Sequence, residues 1–141
     1  MTPKQISLVQ TSFARLSSDL PALTTRFYED LFEKDPALRS LFPTDLDEQK
    51  MRFAEKLTEI VRAITDLEGL LAQTRALGAR HAAYAVRASH YDTVGEVLLA
   101  ALAGVSGGTF DPETREAWTM AYSLVAETML EGATAARRGG A

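Results

Sequence analysis

Apolar residues recur at spacings of three and four along nearly the whole chain, the period of a helix with one buried face. Ile6, Val9, Phe13 and Leu16 form one such stripe, and Leu23, Phe27 and Leu31 with the adjacent Tyr28 form the next. Further on come Met51, Phe53, Leu57, Ile60, Val61 and Ile64, then Val94, Val97, Leu98, Ala101 and Leu102. Ala117, Trp118, Ala121, Tyr122, Val125 and Met129 complete the series. These patterns predict helices over 3–18, 21–34, 36–41, 46–65, 67–83, 91–105 and 112–131. Thr2-Pro3-Lys4-Gln5 reads as an N-cap, a first-turn proline and a capping-box glutamine. Pro21, Pro36 and Asp111-Pro112 open further helices, whereas Pro43 ends the short one at Leu41-Phe42. Gly104-Val-Ser-Gly-Gly108 is expected to be a loop, and with no strand before it the phosphate-binding reading of its glycines fails. No stretch alternates with a period of two. The expectation is an all-α chain with one domain over residues 1–132 and a flexible tail over 133–141.

Composition narrows the chemistry. Hydrophobic residues make up 46% of the 141 positions, enough for a sizeable core, and the net charge of −4 argues against a basic nucleic-acid-binding surface. No run is long enough to span a membrane, and the N-terminus lacks a basic-then-apolar secretion signal, so the expectation is a cytoplasmic protein. The chain has no cysteine. That removes disulfides, thiolate metal sites, thiol nucleophiles and thioether attachment of haem.

The candidate chemistry gathers around the two histidines, His81 and His90. On a helix over 67–83, Leu67, Leu70, Leu71, Thr74 and Leu77 fall on one side, and His81 follows Leu77 by four. A buried imidazole needs a partner. It can be a core histidine satisfied by a carbonyl or hydroxyl, or a ligand. Zinc wants three or four protein ligands, and nine residues separate the two histidines, about half a helical turn out of phase. A haem iron needs only one ligand from the protein and an apolar slot between helices.

At this point the chain resembles the globins, in particular the bacterial single-domain haemoglobins related to the haem domain of flavohaemoglobins. The resemblance is carried by Leu77-Gly78, Arg80-His81, Val86, His90-Tyr91, Val94-Gly95 and Leu98-Leu99. Upstream it includes Phe27-Tyr28, Leu31-Phe32, Pro36 and Leu41-Phe42, and downstream Ala117-Trp118 and Ala121-Tyr122. It covers about residues 4–131 and implies a globin fold of seven to eight helices around a haem pocket. The resemblance implies non-covalent haem b with His81 as the iron's ligand, Arg80 toward a propionate or simply solvated, and Phe42 packed on the distal face. Phe53, Leu57, Leu77, Val86, Tyr91 and Val94 would contact the cofactor, each also readable as ordinary core. Tyr28 matches the family's pocket tyrosine and Gln49, seven after Phe42, the distal glutamine. In the related proteins a tyrosine at the place of Tyr91 joins a glutamate of the last helix near the ligand histidine. Here the matching position, fifteen after Trp118, is Ala133, while Glu131 and Glu127 are off phase.

The function implied is reversible binding of O2, NO and CO. Nitric oxide dioxygenation is an extension that would need a separate reductase. The alternative is a haem-based gas sensor acting through a partner interface. The chain is expected to be a monomer or homodimer, without nucleic-acid or membrane partners.

Overall fold

A computed structural model describes residues 1–42, 45–81 and 88–139, without the side chains of His81, Ala88 and Arg137. Among the described residues there are six α-helices and no strand: α1 (Pro3–Leu16), α2 (Leu20–Lys34), α3 (Leu46–Ala63), α4 (Leu67–His81), α5 (Ala88–Ser106) and α6 (Pro112–Gly139). Three short 3-10 turns lie at Ser17–Asp19, Pro36–Leu41 and Gly107–Thr109. The expected all-helical layout is present; the described residues hold six α-helices against the seven to eight expected, the 36–41 segment being a 3-10 turn. The capping box at Thr2 forms as read: Thr2 Oγ1 accepts from the Gln5 N–H at 3.1 Å, and Gln5 Oε1 accepts from the Thr2 N–H at 2.8 Å. Asp45, Asp66 and Asp111 each accept a backbone N–H three residues on, at the starts of α3, α4 and α6.

α1 and α3 each end two residues earlier than expected, at Leu16 and Ala63, and α5 opens at Ala88 rather than 91, so His90 lies within it; two further boundaries differ with a packing reason. The glycine-rich stretch after Leu102 does not begin a loop at Gly104. Instead α5 continues to Ser106, because Gly104 lies under the Arg26 guanidinium of α2, where an added Cβ would come within 2.3 Å of it. The helix stops at Gly107, which takes φ +64° in open space, the left-handed conformation that only glycine adopts without strain. The last helix does not end at 131 but runs to Gly139, so residues 133–139 are helical rather than an irregular tail. Gly132 and Ala133 are buried there, which gives the extra turns a packing partner.

α1 packs on α6, α2 on α5 and α3, and α4 chiefly on α6. Leu23, Leu31, Ala101, Leu102 and Ala117 are wholly removed from solvent at the centre, each large side chain contributing roughly 1.5–3 kcal/mol by burial. A buried polar tie crosses the α1–α6 contact. Trp118 Nε1 donates to Ser12 Oγ at 2.8 Å, and that hydroxyl donates in turn to the Leu8 carbonyl at 2.7 Å. Ser12→Ala leaves the indole N–H buried without an acceptor. The expected outcome is a loss of about 1–3 kcal/mol of stability in urea unfolding, and an unchanged midpoint would contradict the tie.

The approach of α4 to α6 is closer than side chains allow. A Cβ on Gly78 would lie 2.0 Å from the Met129 carbonyl oxygen, and one on Gly132 would lie 2.0 Å from that of Arg75. Two glycines, one per helix, let backbone meet backbone. This contact sets the height and rotation of the helix that ends at His81.

Candidate functional site

The Tyr28 phenol is the first candidate group, a buried hydroxyl on α2. It sits on the inner face of α2 at 2% exposure, one residue from Phe27, also at 2%. Gln49, in the first turn of α3, donates from Nε2 to the Tyr28 hydroxyl at 3.3 Å. The phenol's own proton has no acceptor among the described residues. Burial pushes the Tyr28 pKa above its ordinary 10.0, and the Gln49 bond offsets only part of that. The group is therefore a neutral O–H donor at any ordinary pH.

Aromatic rings surround this donor. Phe42 meets the Tyr28 ring edge to face at 5.6 Å, Phe53 does so at 5.9 Å, and Phe32 tilts against it at 5.9 Å. Phe53 is itself stacked on Phe27, with centroids 4.5 Å apart and planes 14° from parallel. Gln49 and Phe53 are one turn apart on α3, which is why they face the same space. Tyr28, Gln49, Phe42 and Phe53 are thus brought together as expected from the sequence.

A crevice of about 280 Å3 opens between α3 and α4, lined by Ile60, Leu70, Thr74, Ala76 and Leu77 with Lys56, Glu59, Gln73 and Arg80. Its apolar walls and the two cations at its exposed rim suit a flat apolar group bearing carboxylates. Lys56 there pairs with Glu59 at 2.9 Å. Leu77 and Arg80 line this crevice together with Leu70 and Thr74, which share the α4 face of Leu77, and with Ile60 of α3. Leu57 is buried in the core, and Val94 is half-buried against that core. His81 closes α4 as its last residue, but its side chain, like the whole of Val86, lies outside the described residues. A larger hollow, about 660 Å3, is formed by α2 residues alone and is open to solvent. It contains none of the predicted site residues.

The α5–α6 side holds a second tyrosine pair. Tyr122 donates its hydroxyl to the Tyr91 carbonyl at 2.5 Å, and its ring lies on Gly95, where a Cβ would come within 2.6 Å of it. Tyr122 reads from the sequence only as part of a stripe; Gly95, the small residue that admits its ring, was the available signal. Burial, with Tyr91 and Asp92 nearby, pushes the Tyr122 pKa well above 10.0. An unfolded tyrosine ionises near 10, so above that pH the unfolded chain loses protons that the native state keeps. Stability complete below pH 10 is then lost as pH rises. Tyr122→Phe is expected to flatten this alkaline loss, measured as urea midpoints at about pH 9 and about pH 11; parallel losses in both proteins would contradict it.

Position 133, fifteen after Trp118, holds no carboxylate. Ala133 is buried there, Glu127 is exposed, and Glu131 pairs with Arg75 at 3.5 Å on the surface.

Six helices among the described residues, a crevice between α3 and α4, and a buried tyrosine–glutamine pair between α2 and α3 make up the layout of a globin. The globin family model matches residues 25–129, and the chain belongs to that family. It is 31% identical over 134 residues to the flavohemoprotein of Bacillus thuringiensis subsp. konkukian and 31% identical to that of Deinococcus radiodurans, covering 92% of this chain in each case. The chain spans about a third of the length of these curated relatives, 33% in both. Among solved structures, a bacterial globin from Campylobacter jejuni shares the fold, with TM-score 0.84 at 23% identity over 97% of this chain and 99% of that one. An engineered carbene transferase from Rhodothermus marinus matches with TM-score 0.83 and 28% identity over 99% of this chain and 96% of that one. No helix among the described residues is long and apolar enough to cross a membrane.

Proposed function

We propose that this globin holds haem b non-covalently between α3 and α4, with His81 as the iron's protein ligand, and reversibly binds oxygen and other diatomic gases. The observation that carries the reading is the buried Tyr28 hydroxyl, partnered by another donor and left with a proton to give. A pair of donors in an aromatic enclosure suits a ligand that accepts hydrogen bonds. When bound, haem supplies the iron to which a diatomic molecule attaches. The chain's own groups do the rest. Tyr28 would donate its O–H to a bound acceptor, Gln49 steadies the phenol and would offer a second N–H, and Phe42 and Phe53 shield the pair from water. Leu77 packs on the apolar body of the cofactor, and Arg80 with Lys56 faces its carboxylates at the rim. Leu57, Val86, Val94 and Tyr91 complete the surrounding wall in this reading.

Nitric oxide dioxygenation is the proposed extension. Nitric oxide and oxygen combine to nitrate with the uptake of one electron, so turnover requires a reductase. The flavohemoprotein relatives support this, as does the Rhodothermus neighbour, whose parent is provisionally named a nitric oxide dioxygenase. The test is an absorption spectrum of the chain with added haem in its ferric, ferrous and carbon monoxide forms. A histidine-ligated haem spectrum is expected, and His81→Ala is expected to weaken haem retention and change the ferric spectrum. A chain that takes up no haem would overturn the proposal.

A further inference from the structure

We propose that Arg39, outside the ligand pocket, is a positioning residue for the Tyr28 hydroxyl: it clasps the end of the 36–41 turn so that the Phe42 ring stays seated against the phenol. This rests on the haem-globin reading above and deepens it. Every other arginine whose side chain is described is exposed, whereas Arg39 is half-buried. Taking part of a guanidinium out of water is costly, so its contacts must hold it there. Two of them converge on Phe42. Arg39 Nη1 donates to the Phe42 carbonyl at 3.4 Å, and the Phe42 N–H donates to the Arg39 carbonyl at 3.3 Å. The guanidinium carbon also lies 5.6 Å from the centre of the Phe32 ring, within cation–π range. Phe32 in turn meets Phe42 at 5.6 Å and Tyr28 at 5.9 Å. One cation therefore grips both the backbone of Phe42 and the ring that flanks it, and both rings bear on Tyr28. The turn has need of this grip. Its 3-10 hydrogen bonds are poorer in geometry than those of an α-helix, and Phe42 leaves it in an extended conformation, φ −109° and ψ 152°. Tyr28 rides on α2 in the core, so the Phe42 side of their contact is the one that the turn sets.

The test compares Arg39→Met, which keeps an unbranched stem but removes the charge and the donor, with Arg39→Lys and Ser40→Ala. Ser40→Ala is the control for loosening of the turn itself, since the exposed Ser40 hydroxyl donates back to the Ala37 carbonyl at 2.9 Å. Two quantities are read on the haem-loaded chain under carbon monoxide: the exchange rate of the Phe42 amide by NMR, and the C–O stretching band by infrared absorption. A hydrogen bond to bound carbon monoxide lowers that frequency, so the band reports whether the phenol is in place. Arg39→Met is expected to speed Phe42 exchange by about tenfold and to split the band, with a new component at higher frequency. Arg39→Lys keeps a cation for the Phe32 ring, and its band is expected closer to that of the unaltered chain; the reverse order overturns the proposal. Ser40→Ala is expected to leave the band unmoved, and a shift equal to that of Arg39→Met overturns the proposal. Tyr28→Phe marks the frequency reached without the phenol. A shift there with a single unmoved band in Arg39→Met overturns the role of Arg39 alone. No shift in Tyr28→Phe, or no carbon monoxide complex in the unaltered chain, overturns the pocket reading and this proposal with it.

Discussion

Gly78→Val is expected to destabilise the protein by about 3 kcal/mol and to speed the loss of bound haem. Helix propensity alone predicts the opposite sign, because glycine inside a helix costs about 1 kcal/mol relative to alanine. The packing effect wins because of what a Cβ would meet. Its nearest neighbours are the Met129 carbonyl oxygen at 2.0 Å, Cα at 2.6 Å and carbonyl carbon at 2.7 Å. These are backbone atoms of α6 and cannot turn aside as a flexible side chain could. Relief requires α4 to move away from α6 by on the order of 1 Å. The end of α4 is His81, three residues on, so the displacement reaches the proposed ligand. Urea unfolding gives the stability change, and haem transfer to an excess of an acceptor globin gives the retention. Gly108→Ala is the control: nothing lies within 4 Å of its added Cβ, and a change within about 0.5 kcal/mol is expected. If Gly78→Val unfolds at the native midpoint, the two helices do not meet backbone to backbone.

Tyr28→Phe is expected to accelerate oxygen release by about ten- to a hundredfold. The phenol is neutral over the working range, buried, and meets aromatic rings and the Gln49 amide. A hydrogen bond from such a donor to a charged acceptor is worth roughly 1.5–3 kcal/mol, which converts to that range. The substitution keeps the ring and so keeps its contacts with Phe42 and Phe53. Stopped-flow displacement of oxygen by carbon monoxide reads the rate directly. The same rate in both proteins would remove Tyr28 from the ligand. The slower rate of the unaltered chain should also be flat between about pH 6 and about pH 9, because burial holds the phenol's ionisation above its ordinary 10.0.

The pairs on which these outcomes depend differ in how far they could be read ahead of the fold. Tyr28 and Gln49 were legible as candidates because each sits at a recognisable place beside Phe27 and Phe42, and the structure joins them at 3.3 Å. Gly78 was visible as a residue of the resemblance but silent about its purpose. Gly132 was read only as the last residue before a tail. The bond from Tyr122 to the Tyr91 carbonyl and the Trp118–Ser12 tie span 31 and 106 residues of chain. No local pattern foretells either.

By itself the order of residues determined where helices begin, which face of each is apolar, and which chemistry was excluded. Caps, prolines and three-four spacing act over a few residues, so they operate before any helix meets another. Tertiary structure decided the crossing of α4 on α6, the extension of α6 to Gly139 and the stacking of Phe53 on Phe27. Those depend on the distance and rotation between helices. Such quantities come from the whole packed interior, where each side chain's volume is set against neighbours far away in the chain.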